Sequence, residues 1–497
     1  MLDIAATEGA ATGGPGRSVQ DHIDELPMWA DGTHLPAAPM TGMQWLIWSL
    51  AAAGKFFEGF VVFMTGVALP LLSNEFNIPK TQNGLITAAS LFGILIGAVG
   101  LGGLSDRFGR KPMFVAEMVI FVGFLVALLF CTNLYFLVIC LFGIGLALGC
   151  DYPTAHMIIS ESIPSTARGR LVLGAFAFQA VGALGGTAVG FLVLKTLPEI
   201  GAWRWMYASA IIPAVLVTVG RFYIVESGNW LHARGEVGKA EQAVKKLLVR
   251  KPQYPAEIKL IARDEAAAAR SQSKQTFASL FVNKANRRAT ILASVPWFLQ
   301  DLGTYGIGIF TPTILAAALG ANSDHARSVA DLIANDITAA QGAALITTLL
   351  IIGILFAVML ADVVGRIGLQ ILGFFGCAAG LFLASLASYF TGGTQTLLIF
   401  AGFMLFNFMT NLGPNAQTYL LAGEVFPTAI RGKGAGFAAA FAKIGAVATA
   451  FLFPILLDKI GTQALLYGLV GVSILGAGVT WLFRIETTGV NLDQLEQ

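Results

Sequence analysis

Apolar runs of about twenty residues recur along most of this chain, each long enough as a helix to cross the roughly 30 Å hydrocarbon core of a bilayer. Inside such a core every backbone N–H and C=O must find a partner within the protein. Only helices and closed barrels satisfy that condition. The runs here are continuous, as in GFAAAFAKIGAVATAFLFPILL over 436–457, and lack the short alternating segments of barrel strands. The chain is therefore expected to be an all-α polytopic membrane protein. Its composition fits: 56% of the 497 residues are hydrophobic and 12% charged, against about 25% charged in ordinary soluble domains. A net charge of +2 gives no reason to expect a nucleic-acid partner.

Twelve spans can be drawn. The first six cover approximately 43–72, 82–104, 112–132, 134–160, 170–195 and 203–225, and the second six approximately 288–318, 340–362, 368–390, 396–422, 434–457 and 463–484. Residues 1–42 read as an N-terminal tail, mostly disordered, with a short amphipathic piece around His22–Trp29. The polar stretch 226–287 reads as a linker carrying surface helices, and 485–497 as a C-terminal tail. Arg107, Arg110, Lys111, Arg168, Arg170, Arg366, Arg431 and Lys433 fall in loops of one side, together with the basic central stretch. The positive-inside rule makes that side, and both termini, cytoplasmic. With no targeting sequence, a bacterial inner (cell) membrane is the expected location. The four cysteines lie in apolar segments without metal-ligand spacing, and no motif calls for a cofactor.

The two halves repeat. Asp106, Gly109 and Arg110 in SDRFGRK recur 256 positions later as Asp362, Gly365 and Arg366 in ADVVGRI. Glu161, Pro164, Arg168 and Gly169 in ESIPSTARG recur 263 positions later as Glu424, Pro427, Arg431 and Gly432 in EVFPTAIRG. Two motifs recurring at nearly one offset indicate a duplicated six-helix unit, the plan of transporters that rock two halves about a midplane site.

Charges inside apolar runs mark the candidate site. A central Lys costs roughly 2.5–3.5 kcal/mol on insertion scales, so it normally faces a protein interior or wet cavity with a partner. Lys443 is such a residue, and Glu58, Asp151 and Asp301 occupy similarly apolar stretches. A structural ion pair would explain them; so would an anion pathway with a proton relay. Around Lys443 can be set Tyr152 in span 4, Gln179 in span 5, Asn415 in span 10, and Trp297, Asp301 and Tyr305 spaced i, i+4, i+8 along span 7. Lys443 and the neutral members supply many hydrogen-bond donors, which suits a compact oxyanion. Asp301 contributes if it is protonated or accepts from a protonated substrate.

The run from Gly102 to Lys111, G-x-x-x-D-R-x-G-R-K, resembles the signature of the major facilitator superfamily, and the resemblance extends over about 43–490. It implies two six-helix halves and a cytoplasmic conformational latch of Asp106, Arg110, Glu161, Arg168, Asp362, Arg366, Glu424 and Arg431, holding the outward-open state. Glu226-Ser-Gly-Asn-Trp230-Leu231 and Glu486-Thr-Thr-Gly are similar to signatures of sugar porters and their relatives.

Within that group the midplane set resembles the phosphate site of the fungal phosphate:proton symporters. GCDYP in span 4, W-x-x-x-D-x-x-x-Y in span 7 and GEVFPT after span 10 carry the likeness. It implies substrate binding by Tyr152, Gln179, Trp297, Asp301, Tyr305, Asn415 and Lys443, and proton coupling by Asp151 first and Glu58 second. Span 1 departs: where the symporters carry two aspartates three residues apart, this chain has Glu58 and Val61, with Lys55 one turn earlier as a competing partner for Glu58. His156 is a further proton site or a packed helix contact.

The expected function is proton-coupled import of inorganic phosphate by a monomeric secondary transporter. A small organic anion or a sugar is the alternative substrate, and a non-transporting nutrient sensor a third reading. No H-E-x-x-H or comparable constellation points to an enzyme.

Overall fold

The computed structural model describes residues 17–26, 33–35, 38–79, 82–101, 104–250, 254–255, 257–261, 277–318, 329–427 and 430–487. A short helix, α1 (Val19–Asp24), precedes the membrane helices. The N-terminal half contains α2 (Gly42–Glu75), α3 (Asn83–Ile96), α4 (Leu104–Phe108), α5 (Arg110–Leu129), α6 (Leu134–Ser162), α7 (Ser165–Thr196), α8 (Ala202–Ala208) and α9 (Ile211–Phe222). Linker helices α10 (Gly228–Ala233) and α11 (Val237–Leu247) follow. The C-terminal half contains α12 (Lys284–Ala318), α13 (Val329–Val364), α14 (Arg366–Ser385), α15 (Gly393–Leu412), α16 (Pro414–Glu424) and α17 (Arg431–Phe483).

Among the described residues, ten helical segments are long and apolar enough to cross a membrane by length and composition. Two adjustments bring these to the expected twelve. Helix α17 turns at Gly461, whose φ of 77° is left-handed and which divides it into two spans. Helix α12 has 35 residues, but Gln300, Asp301 and Thr304 dilute its apolar character. A span is polar where it lines a site, and this one does.

Local chemistry sets several boundaries. Thr41 and Gln44 form a reciprocal capping box that starts α2. The second span widens into a π turn at Gly97–Leu101 instead of running on as one α-helix. The sixth span is split into α8 and α9, and the tenth breaks at Gly413, where Pro414 opens α16 without an N–H to donate.

Among the described residues of the N-terminal tail a short helix forms. Ser18 caps α1, which buries Val19 and Ile23 against the linker and the neighbouring ends of the membrane helices. Arg250 donates to the Ile23 carbonyl at 2.8 Å, and Asp24 accepts from the Ser165 N–H at 2.7 Å. The amphipathic piece expected at His22–Trp29 is thus a helix over Val19–Asp24; residues 27–29 lie outside the described residues.

Packing repeats between halves. Helix α2 packs most extensively on α7 and α12 on the first span of α17, the same pairing in both six-helix units. The halves meet along α7 with α13 and along α3 with α17. Close approach of α2 and α7 depends on Gly182 and Gly186, whose α-carbons lie against the carbonyls of Phe56 and Phe60; any Cβ there would overlap those oxygens. That contact sets Glu58 and Gln179 side by side.

Candidate functional site

Lys443 on α17 is 2% exposed. Its ammonium donates to the Tyr305 hydroxyl at 2.7 Å and lies 3.4 Å from Asp301 Oδ2, both on α12, and 3.7 Å from Glu58 Oε1 on α2. The i, i+4 spacing of Asp301 and Tyr305 on one helix face places both on one lysine.

Glu58 is more central than its second-choice role in the sequence suggested. Its Oε1 accepts from Tyr152 at 2.7 Å, Gln179 at 3.0 Å and Tyr305 at 3.1 Å, while Lys55 stands 3.4 Å from Oε2. Lys55 is buried and sits over the Tyr152 ring, 2.6 Å from its centroid; Lys443 approaches the same ring at 5.3 Å. Two lysines and two acids, Glu58 and Asp301, therefore share one water-poor compartment, formally neutral. Breaking one partner out of such a group leaves an uncompensated buried charge.

Asp151 lies in a neighbouring cluster. Its Oδ1 accepts from Arg221 at 2.7 Å, and the same guanidinium reaches Glu117 at 2.5 Å and the Phe114 carbonyl at 2.6 Å. Arg221 is fully buried and lies over the Phe114 ring. Two carboxyls sharing one cation leave the group one negative charge in excess unless one of them carries a proton. Lys55 is within electrostatic reach of both Glu58 and Asp151, which joins the two clusters. Arg221 and Glu117 were not singled out in the sequence, nor was Asp336, another buried acid, on α13. For Arg221 and Glu117 the signal was the one that flagged Lys443, a charge inside an apolar run; Asp336 falls before the eighth span as drawn from the sequence.

Trp297 presents its ring edge-on to Tyr419 of α16, with centroids 6.0 Å apart. Tyr419 stacks on Phe176 of α7 at 4.4 Å and 17°, and its hydroxyl is 3.4 Å from His156 Nδ1. Tyr419 is a further residue the sequence reading missed, and it ties His156 to the C-terminal half. Asn415 donates to Asn411 at 2.7 Å and not to Lys443's group. Together with Gln179, Thr304, Tyr305 and Phe63, these asparagines line a small cavity beside the cage. Among the described residues no cluster of His, Cys, Asp or Glu is placed to hold a metal ion.

On the face that carries the basic loops, the described ion pairs of the latch set lie within halves. Glu161 receives Arg110 at 3.1 Å and the Ser227 hydroxyl; Glu424 receives Arg366 at 3.4 Å and the Thr487 hydroxyl. The sequence reading set Glu161 with Arg168 and Glu424 with Arg431; among the described contacts the turn arginines Arg110 and Arg366 reach those carboxylates. Arg168 is half-buried at the start of α7. The side chains of Asp106, Asp362 and Arg431 lie outside the described residues.

A third internal repeat emerges here. Glu226 caps the N–H groups of Arg110 and Lys111, and Glu486 those of Arg366 and Ile367, while the next residue in each case, Ser227 or Thr487, reaches the ion pair. Gly109 (φ 109°) and Gly365 (φ 90°) permit the carboxylates to approach, since a Cβ at either would crowd them.

Comparison with known proteins agrees with this architecture. The sequence profile described as "Sugar (and other) transporter" matches residues 47–497. The inner membrane metabolite transport protein YgcS of Escherichia coli (strain K12) is 28% identical, the match covering 91% of this chain and 94% of that one. The repressible high-affinity phosphate permease of Neurospora crassa is 26% identical over 80% of this chain and 75% of its own. The xylose transporter XylE from E. coli, in a partially occluded inward-open structure, shares the fold with a TM-score of 0.71 at 22% identity, covering 91% of this chain and 100% of that one. An integral membrane transporter and not an enzyme, the chain belongs to the sugar (and other) transporter family of the major facilitator superfamily.

Proposed function

We propose that the protein is a proton-coupled symporter that imports inorganic phosphate across a bacterial inner membrane by alternating access, working as a monomer with both termini cytoplasmic. The observation that carries this reading is the buried Lys443, bonded to Tyr305 and flanked by Asp301 and Glu58, beside a cavity lined by Gln179, Tyr305, Asn411 and Asn415. With two lysines matched by two ionised acids, the site offers an incoming anion no net attraction. A proton on one acid tips the balance positive, and the anion then binds where Lys443 and the neutral donors reach it. Asp301 serves as an acceptor for the protonated oxygen of H₂PO₄⁻. Asp151, sharing Arg221 with Glu117, and Glu58, facing Lys443, are the acids assigned to proton coupling. Rocking of the halves and loss of the proton to the cytoplasm release the substrate. The phosphate permease among the relatives supports the choice of anion.

A second reading has one observation in its favour: Tyr419, Phe176 and Trp297 form an aromatic wall beside the site. Such a wall would suit a planar organic carboxylate. Uptake into proteoliposomes with phosphate, arsenate, benzoate and glucose, with and without an imposed pH gradient, separates the two. Phosphate uptake should rise with acid outside, and arsenate should compete while benzoate and glucose do not. Competition by benzoate without arsenate would replace phosphate by a carboxylate. Lys443→Met should lower uptake at subsaturating phosphate about tenfold or more, since a hydrogen bond to a charged group is worth roughly 1.5–3 kcal/mol.

A further inference from the structure

The donors that the sequence assigned to a substrate already hold an oxyanion. Tyr152, Gln179, Tyr305 and Lys443 all converge on Oε1 of Glu58, at 2.7, 3.0, 3.1 and 3.7 Å, and Lys55 takes Oε2 at 3.4 Å. Glu58 is 1% exposed, so its carboxylate and an incoming anion cannot use these groups together. We propose that Glu58 is a tethered stand-in for the transported anion: ionised, it occupies the substrate's donors, and protonated, it yields them. This rests on the reading of the site as one for an anion and adds to it the device that makes the proton obligatory.

The sequence of events follows from charge. A proton from the outer side adds to one carboxylate oxygen of Glu58, and the neutral acid loses its attraction for both lysines. Lys443, Tyr305, Tyr152 and Gln179 turn to the anion. On the cytoplasmic side the same O–H bond breaks, the proton leaves to water, and the restored carboxylate retakes the donors and expels the anion. Lys55, one helical turn before Glu58, keeps a cation beside the carboxyl throughout and biases it towards the ionised, occupying state. The charged and titratable groups facing Glu58 are Lys55 on its own helix, Tyr152 on α6, Asp301 and Tyr305 on α12 and Lys443 on α17, with Asp151 of α6 acting through Lys55.

The test compares equilibrium binding of inorganic phosphate to the full-length wild type and to Glu58→Gln in lipid nanodiscs across a range of pH. Taking the ratio of the two affinities cancels phosphate's own titration. Glu58→Gln should bind phosphate more tightly than wild type at alkaline pH, the ratio growing about tenfold per pH unit once the linked proton is lost. In liposomes, the variant should retain phosphate exchange while losing the acceleration of net uptake by a pH gradient. A ratio flat with pH, with both proteins binding, overturns the proposal. Should Glu58→Gln fail to fold, Lys55→Met serves. Removing the cation that favours ionised Glu58 should move the pH at which phosphate binding is half lost upward, and an unchanged midpoint overturns the proposal. If wild type binds no phosphate at any pH, benzoate takes its place in the same comparison; if it binds neither, the anion reading itself falls.

Discussion

Arg221 makes four hydrogen bonds within the protein: to Glu117, Asp151 and the carbonyls of Phe114 and Leu50. Removing that cation strands two carboxyls in an apolar interior, so Arg221→Met should cost about 3–5 kcal/mol. Glu117→Gln keeps an acceptor for the guanidinium and removes the excess negative charge, so it should cost under about 1 kcal/mol. Thermal unfolding of the two variants measures the contrast, and equal losses would mean that Glu117 and Asp151 do not depend on Arg221. Lys443, Glu58, Asp151 and Asp301 were legible in the sequence because each interrupts an apolar run. Arg221 obeys the same rule, but near the end of the sixth span it reads as a positive-inside charge. Tyr419 gave no such signal, since an aromatic residue in an apolar helix is ordinary.

Among the elements, α2 and α7 show how glycine decides position. Gly186 faces the Phe60 carbonyl without room for a Cβ, whereas Gly471 on α17 has open space around it. Gly186→Val should force the helices apart and destabilise by roughly 1–3 kcal/mol. It should also weaken the proposed phosphate uptake, because Gln179 would move away from Glu58. Gly471→Val should fall within about 0.5 kcal/mol of wild type. Thermal unfolding in detergent checks the pair; a neutral Gly186→Val would show that the contact is not needed. The spans themselves were readable from their length, and Gly461 separates the last two within the interval the sequence left between them. The splits in spans 6 and 10 and the docking of the short helix Val19–Asp24 were not, because they follow from contacts made by partners distant in sequence.

Across the whole molecule, contact between halves differs at the two ends. On the side away from the basic turns Gly66 of α2 lies against the Ile309 carbonyl of α12, and Thr87 donates to the Ala450 carbonyl at 2.8 Å. Towards the face bearing Arg110 and Arg366, Tyr419 bridges to Phe176 and His156. Tyr419→Ala should loosen that closure. A cysteine placed at His156 should then react faster with a membrane-impermeant maleimide applied from that face than the same cysteine with Tyr419 intact. Equal rates would remove Tyr419 from the closure. The described ion pairs Arg110–Glu161 and Arg366–Glu424 each brace one half.

The sequence by itself determined that this chain crosses a membrane as two related six-helix units and where its costly charges stand. Those properties follow from chain-local physics: backbone groups that lipid cannot satisfy, run length, and the price of a charge in an apolar segment. Only the tertiary structure decided which charge meets which: Lys443 and Lys55 about Glu58, Arg221 between Asp151 and Glu117, and the turn arginines on Glu161 and Glu424. A helix apolar on all sides carries no pattern that says which face turns inward. That choice is made where glycines let backbones touch and where each buried charge finds its partner.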